Sequence, residues 1–385
     1  MLENLMGIIT SRAPAPRDQE DLEAISSVLF SNDDLSGNSN FIKKYEQKLS
    51  EYFKVKHAIA VSSGTAAIHC GLAALNINRD DEVIVPVTAA VMSAIPIIAL
   101  HAKPVFVDCQ QQSFGICHDS LLKKITTKTK AILSVPMWGY PSYDKEIDRI
   151  SKEYNIPIIE DAAQAIGTIN NGKFEGTNSL IGCFSTHELK LISTGEGGFI
   201  LTNHQDIADS CRTYSRLGLN ISKGISYGGL MGLNYKLNAI TAALGCAQIK
   251  KIDQRLLIRK NNATLWRDCL KNCEGLEEFF ADDVTSKPSY YGMIFLLKNG
   301  VPNFGEILHE HGISTDTFRY KYKLLCEYPV FKRYYNCSDA DINIDFPNAL
   351  SLISRLVVLP THEYINQDVI KKGADIIKKC LNNVG

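Results

Sequence analysis

Long hydrophobic runs are missing from this sequence of 385 residues. The longest apolar stretch, AAVMSAIPIIAL, is interrupted by Pro96 and is well short of the roughly 20 residues that a membrane-spanning helix requires. The first residues, MLENLMGIITSRAPAP, place acidic Glu3 ahead of a short apolar stretch, which is not typical of a secretory signal. We therefore expect a cytoplasmic protein without a membrane partner.

Net charge is nearly absent as well, because 41 Lys and Arg residues balance 42 Asp and Glu residues to a formal charge of -1. There is no basic stripe interleaved with aromatic residues, so the sequence does not favour a nucleic acid partner. None of the cysteines forms a C-x-x-C pair, and the closest two, Cys269 and Cys273, indicate neither a disulfide framework nor a metal site. These absences leave a globular protein with reduced thiols.

What the sequence does contain is an alternation of apolar, β-branched segments with helical patterns. The apolar segments are HAIAVSS, EVIVPV, KPVFVDC, AILSVPM, IPIIED and GGFILTN. This alternation predicts an α/β fold with a three-layer, mostly parallel sheet that is buried on both faces. A long helix over residues 232–270 would lead into a smaller α+β unit. We predict a large domain over residues 1–250 and a small C-terminal domain over residues 251–385.

Ligands bind at the carboxyl ends of the strands in such a sheet, and the first segment of interest, SSGTAAI, follows the first strand. Gly64 permits a tight turn there, and Thr65 offers an amide and a hydroxyl at a helix N-terminus, where anions bind. The same residue types also cap helices that bind nothing. Neither a Walker loop nor a G-x-G-x-x-G fingerprint is present, so the sequence does not indicate an NTPase or a nicotinamide dehydrogenase.

Three further segments place polar groups next to apolar strands. In IPIIEDAAQAIG, Asp161 and Gln164 suit a protonated ring nitrogen and a neighbouring phenolic oxygen, although Asp161 could instead cap a helix. In FSTHELKLISTGEGGFIL, Ser185 and Lys190 lie between two near-buried strands, where a lysine is seldom found unless it is paired or covalently bonded. Asn234, in GLNYKLNAITAALG, would by itself be an ordinary loop residue.

Together the four segments resemble, in order and spacing, the sugar aminotransferases of the DegT/DnrJ/EryC1/StrS family, a branch of the fold-type I pyridoxal-phosphate enzymes. The resemblance extends from SGNSNFIKKYEQKLSEYFKVKHAIAVSSGTAA to TGEGG, and it continues more weakly in ISRLVVLPTHEYINQDVIKKG near the C-terminus. It implies that pyridoxal 5'-phosphate is the cofactor and that Lys190 forms a Schiff base with it. Such a lysine is first a covalent nucleophile and then, once freed, the base and acid of a proton shift.

The resemblance also implies roles for the other candidate residues. Asp161 would pair with the pyridine nitrogen and Gln164 would approach the phenolic oxygen. The phosphate would be held by Gly64, Thr65 and Ser185. Asn234 would reach the phosphate from the other subunit, which implies a homodimer with shared active sites.

Some positions depart from the family pattern. An aromatic ring usually stacks on the cofactor at the position of Ala90, but Thr88 and Ala90 are both small here. Trp138 either fills part of that space or belongs to the core. For His187 we favour a structural role, and Lys236 stands where arginine is common, so that the charge is kept and bidentate geometry is lost.

The function implied by the resemblance is transfer of an amino group from glutamate or glutamine to a keto-sugar, with a nucleotide-linked sugar expected first, or to a keto-cyclitol. Arg319 and Tyr320 are candidates for contacting the acceptor, although surface charge and core packing explain them equally well. One alternative in the same family is a pyridoxamine-phosphate-dependent sugar dehydratase, in which histidine replaces the lysine. A regulatory protein that binds pyridoxal phosphate without catalysis, and an α/β binding protein without cofactor, are further alternatives.

Overall fold

The computed structural model describes residues 9–220, 223–280, 285–335 and 338–384 of the chain. Its strands are β1 (His57–Val61), β2 (Glu82–Pro86), β3 (Lys103–Val107), β4 (Thr129–Ser134), β5 (Ile158–Asp161), β6 (Ile169–Asn170), β7 (Lys173–Phe174), β8 (Ile181–Ser185), β9 (Gly198–Thr202), β10 (Leu276–Glu278), β11 (Met293–Leu297) and β12 (Leu356–Leu359).

The α-helices alternate with the strands in the first half of the chain and predominate in the second half. They are α1 (Gln19–Leu29), α2 (Asn40–Phe53), α3 (Gly64–Ala74), α4 (Val91–Ala99), α5 (His118–Lys124), α6 (Lys145–Tyr154), α7 (Gln205–Tyr214), α8 (Ala239–Ile249), α9 (Ile252–Leu270), α10 (Phe304–Glu310), α11 (Asp316–Arg319), α12 (Asp339–Asp345), α13 (Pro347–Arg355) and α14 (Gln367–Val384). None of the described helices is long and apolar enough to cross a membrane.

Seven strands form the central sheet in the order β1-β9-β8-β5-β4-β2-β3. The pairs β8-β5, β5-β4, β4-β2 and β2-β3 are parallel, whereas β9 runs antiparallel to both of its neighbours, β1 and β8. Every residue of β2, β5, β8 and β9 is buried. The prediction of a mostly parallel α/β sheet is confirmed.

Successive residues of one strand pack into different cores, which is what makes the sheet the middle of three layers. In β1, Ile59 and Val61 pack with residues of α3, whereas Ala58 and Ala60 pack with residues of α2 and α8. Since both faces of the sheet are covered by helices, its strands carry unbroken apolar sequences.

The predicted long helix over residues 232–270 is wrong in its extent, because two helices, α8 and α9, occupy residues 239–249 and 252–270. Asn238 is the N-cap of α8, and its side chain accepts a hydrogen bond from the backbone N–H of Thr241 at 2.9 Å. A break of two residues leaves the apolar period almost unchanged, so periodicity alone did not reveal it.

The C-terminal part of the chain builds a second, antiparallel sheet in the order β10-β11-β12. The Asp108 carboxylate, which directly follows β3 in the central sheet, accepts hydrogen bonds of 3.0 and 2.9 Å from the backbone N–H groups of Asn348 and Ala349 in α13. The second sheet agrees with the expected α+β unit, while the domain boundary at residue 250 stays a prediction.

Candidate active site

A cavity of about 460 Å³ opens where β1, β4, β5 and β8 end. It brings together six of the seven residues that the sequence analysis selected, namely Gly64, Thr65, Asp161, Gln164, Ser185 and Lys190. The parallel strands direct their carboxyl ends to one edge of the sheet, so residues far apart in the sequence meet there.

The N-terminus of helix α3 forms one wall of this cavity. The Ser63 hydroxyl caps the helix by accepting a hydrogen bond from the Ala66 N–H at 3.1 Å. The amides of Gly64 and Thr65 lie in the first turn, where N–H groups have no acceptor within the helix. A Cβ atom on Gly64 would lie only 2.8 Å from the Cβ of Ser185, so the close approach of α3 to β8 requires glycine.

Asp161, the last residue of β5, is held in place by two hydrogen bonds. Its Oδ2 accepts a bond of 2.5 Å from the Ser93 hydroxyl, and its Oδ1 accepts one of 3.2 Å from the Ala163 N–H. Burial raises the pKa of Asp161, and the two hydrogen bonds and the nearby charge of Lys190 oppose that rise. Residues 162–168 form turns, so Asp161 does not cap a helix there.

Lys190 extends into the cavity beside an aromatic ring, with its Nζ 4.8 Å from the ring centroid of Tyr291. Burial and, after it, the charges of Arg12 and Arg259 lower the pKa of Lys190 to about 7, with Asp161 and Asp316 acting in the opposite direction. A substantial fraction of the amine is therefore uncharged at neutral pH, and an uncharged amine is the nucleophilic form.

Gln164 and Trp138 are linked across the cavity wall. The Gln164 Oε1 accepts a hydrogen bond of 2.8 Å from the backbone N–H of Trp138, whose φ is 51°. The indole Nε1 donates to Asp316 at 2.7 Å, and the ring lies 5.2 Å from Phe114 and 5.0 Å from Tyr322. Trp138 thus lines the cavity and packs in an aromatic cluster, so the two interpretations offered for it do not exclude each other.

Ala90 and His187 also line the cavity. His187 Nε2 lies 3.9 Å from the Glu196 carboxylate at the cavity edge. Asn234 is exposed and lies outside the cavity lining of its own chain, where its side-chain oxygen accepts a hydrogen bond of 2.5 Å from Lys236. Its action in a partner subunit stays a prediction.

Four residues at the site were not found by sequence reasoning: Arg12, Ser93, Tyr291 and Asp316. The Arg12 Nε donates to both Asp316 oxygens at 2.8 Å, across 304 positions of sequence. A pair so far apart in the sequence produces no local pattern. Ser93 lies within the apolar helix α4, and the sequence around it does not indicate that its hydroxyl would bind Asp161.

Glu160, which precedes Asp161, turns away from the cavity toward a second carboxylate. Its oxygens accept three backbone hydrogen bonds, from Gly176 at 2.7 Å, Asn178 at 3.1 Å and Ser179 at 2.9 Å. Burial, and then the neighbouring Glu175, raises the pKa of Glu160 well above its usual value. We therefore expect the Glu160 carboxyl to keep its proton in the folded protein at a pH where a free glutamate loses it.

We expect the free energy of unfolding to fall as the pH rises above 4.5, the ordinary value for glutamate, because the folded state keeps a proton that the unfolded state loses. Glu175→Gln should reduce this pH dependence, because burial of Glu160 remains while the second carboxylate is lost, and it should raise stability at pH 8 by about 1 kcal/mol. The Glu175 Oε1 accepts hydrogen bonds from Ser142, Tyr143 and Asn170, whereas its Oε2 has no partner, so an amide N–H₂ at the Oε2 position can donate to Glu160. Urea unfolding between pH 5 and pH 8 measures the effect.

Glu160→Gln is the matched control for this pair. Both Glu160 oxygens already accept backbone hydrogen bonds, so an amide N–H₂ would face a donor and destabilise the protein by about 1–3 kcal/mol at every pH. An unchanged pH dependence in Glu175→Gln would contradict the influence of Glu175 on the pKa of Glu160.

Comparison with known proteins places this site in a family. The model of the DegT/DnrJ/EryC1/StrS aminotransferase family matches residues 16–378. The GDP-perosamine synthase of Escherichia coli O157:H7 is 36% identical over 233 residues, which are 60% of this chain and 64% of that protein. The matches to three such synthases cover only 61%, 63% and 64% of the relatives' own length, which is less than two thirds.

Two further proteins are similar over more of their length. The GDP-4-keto-6-deoxy-D-mannose 3-dehydratase of Yersinia pseudotuberculosis is 30% identical over 307 residues, which are 74% of this chain and 77% of that protein. The structure of the aminotransferase from Psychrobacter cryohalolentis superposes with a TM-score of 0.84 and 25% identity over 97% of this chain and 99% of that chain.

These comparisons confirm the predicted fold. They also confirm the predicted cofactor at the level of the family, because DegT/DnrJ/EryC1/StrS aminotransferases depend on pyridoxal phosphate. The family model covers nearly the whole described chain, including every residue selected for the site. This protein therefore belongs to the DegT/DnrJ/EryC1/StrS aminotransferase family.

Proposed function

We propose that this protein uses pyridoxal phosphate to transfer an amino group from glutamate or glutamine to the keto group of a nucleotide-linked sugar. The observation that carries the proposal is the placement of Lys190, with a pKa of about 7, in one cavity with the hydrogen-bonded carboxylate of Asp161 and the N-terminus of α3.

The residues of the cavity fit this cofactor. The first turn of α3 and Ser185 would bind the phosphate, and glycine at position 64 leaves the space that a side chain would fill. Asp161 would bind the ring nitrogen, and the amide of Gln164 would bind the phenolic oxygen. A volume of about 460 Å³ lies within the range of about 300–1,000 Å³ that is typical of small-molecule sites.

Bound pyridoxal phosphate supplies an aldehyde that condenses with amines and a ring that withdraws electrons from the adjacent carbon. Lys190 would hold the cofactor covalently through its Nζ. When it is not bonded to the cofactor, the same amine would serve as the base and the acid that move the proton of the amino donor. The Asp161 carboxylate would keep a proton on the ring nitrogen throughout.

For the acceptor we propose a GDP-linked 4-keto-6-deoxy sugar. The support is the likeness to GDP-perosamine synthases and to a dehydratase named for GDP-4-keto-6-deoxy-D-mannose. An apolar wall formed by Ala90, Met92 and Val135 suits the methyl group of a deoxy sugar, and the half-exposed ring of Tyr320 at the cavity could stack on a base.

A sugar dehydratase is the second candidate, because one relative carries that name. Lys190 favours amino transfer over dehydration, since a lysine amine can bind an aldehyde covalently and shuttle a proton. The proposal also includes a homodimer in which Asn234 serves the cavity of the other subunit. Its support is the exposure of Asn234 outside its own cavity and of Tyr227 and Met231 in the loop before it.

The test is incubation of the loaded protein with glutamate and GDP-4-keto-6-deoxy-D-mannose. We expect 2-oxoglutarate and a GDP-linked amino sugar in equal amounts, detected by mass spectrometry. A GDP-linked sugar that has lost a hydroxyl group and gained no nitrogen would instead identify a dehydratase. Loading with cofactor but no reaction with any amino donor would favour the regulatory alternative.

A further inference from the structure

Three basic side chains lie around one aromatic ring at the cavity. The guanidinium carbon of Arg12 lies 3.6 Å from the ring centroid of Tyr291, and the Lys190 Nζ lies 4.8 Å from the same centroid. The guanidinium carbon of Arg259 lies 5.6 Å from it. The reactive amine is therefore surrounded by fixed positive charge.

Both arginines are buried and fixed by carboxylates. Arg12 pairs with Asp316, and their side chains are 7% and 3% exposed. Arg259 pairs with Glu363, at 3.1 Å between Nε and Oε1. A guanidinium stays charged throughout the physiological pH range, so neither arginine can relieve the repulsion by losing a proton.

Lys190 has no such partner, since no carboxylate of the described residues lies within ion-pair distance of its Nζ. Charged or titratable groups surround the Lys190 amine from several elements. From other parts of the chain they are Arg12 before α1, Asp161 on β5, Arg259 on α9, Tyr291 before β11 and Asp316 on α11. From the loop that carries Lys190, His187 and Glu196 line the cavity. After burial, the proximity of Arg12 is the largest influence on the pKa of Lys190.

We propose that Arg12 is a positioning residue that holds Lys190 in its uncharged, nucleophilic form, and that Asp316 fixes the guanidinium in place for this purpose. This inference rests on the proposed function, because an aminotransferase needs Lys190 to be uncharged when it bonds to an aldehyde and when it takes a proton. The charge state of the amine is itself measurable without cofactor or substrate.

The test is the pH dependence of acetylation of Lys190 by acetic anhydride in cofactor-free protein, followed by peptide mass spectrometry. In the wild type we expect a midpoint near pH 7. Arg12→Gln should move the midpoint up by at least about one unit, so that labelling at pH 7 slows several-fold to about tenfold. Asp316→Asn should move the midpoint down, because the asparagine oxygen can still accept a hydrogen bond from Arg12 and hold it in place, while the positive charge of Arg12 is no longer compensated.

The double variant Arg12→Gln/Asp316→Asn guards against loss of folding, because it leaves no unpaired charge buried. Its midpoint should lie between those of the two single variants. Arg212→Gln is the matched control, because it breaks an ion pair with Glu46 outside the cavity and should leave the labelling of Lys190 unchanged. Thermal melting identifies which variants are folded.

A folded Arg12→Gln variant with the wild-type midpoint would overturn the proposal, as would shifts in the same direction for Arg12→Gln and Asp316→Asn. An increased KM for the amino donor with unchanged labelling would show that Arg12 binds the donor carboxylate instead. Since labelling requires no turnover, failure of the proposed aminotransferase reaction would not produce either result.

Discussion

Replacing Lys190 with alanine should abolish covalent attachment of pyridoxal phosphate and reduce amino transfer by at least about a thousandfold, because one amine serves as both nucleophile and proton carrier. The cavity holds no other lysine among the described residues, so no neighbouring side chain can replace it. Borohydride reduction of the loaded protein followed by peptide mapping should place the cofactor on Lys190 in the wild type only.

Lys190→Arg is the matched control for charge. It keeps a positive group beside Tyr291 but supplies no uncharged amine near neutral pH. We expect it to be as inactive as Lys190→Ala, which would separate the covalent role from an electrostatic one. Activity within about tenfold of the wild type in either variant, or cofactor attached to another lysine, would show that the assignment of Lys190 is wrong.

Asp161→Asn should reduce kcat by about a thousandfold while cofactor binding changes far less. At an effective dielectric constant near 20, opposite charges about 4 Å apart gain roughly 4 kcal/mol. That energy corresponds to about three pKa units of the ring nitrogen, which the neutral amide would no longer hold protonated. Steady-state kinetics and equilibrium dialysis with pyridoxal phosphate measure the two effects separately.

Asparagine is a more specific test of the charge than alanine, because it keeps the shape of the side chain and its oxygen can still accept the hydrogen bond from Ala163. Ser93→Ala is the graded control, since it removes only the hydroxyl that binds Asp161 and should cost about 1 kcal/mol, or roughly fivefold in rate. Near-normal turnover in Asp161→Asn would contradict the role of the carboxylate.

The proposed roles of Asp161 and Arg12 concern different atoms, so substitutions at the two residues can be distinguished by experiment. Asp161 lies at the end of β5 and is proposed to act on the ring nitrogen, whereas Arg12 is proposed to act on the Lys190 amine. We therefore expect Asp161→Asn to change kcat with a small change in the pH midpoint of Lys190 labelling. Arg12→Gln should change that midpoint most.

Local sequence was sufficient for the sheet and for the residues at its strand ends. An apolar run of about five residues specifies a buried strand, and the side chains that follow it must emerge at the carboxyl edge. Gly64, Asp161, Ser185 and Lys190 were found in this way, and all line one cavity. The break between α8 and α9 was missed because it barely disturbs the apolar period.

The sequence by itself determined the order of the strands along the chain, the family and the polar residues next to those strands, because each is encoded within a few consecutive residues. Only the tertiary structure decided which side chains surround the reactive amine. Arg12 and Asp316 are 304 positions apart, and Tyr291 lies in a third segment. Their contact results from packing of distant elements, which no short-range pattern records.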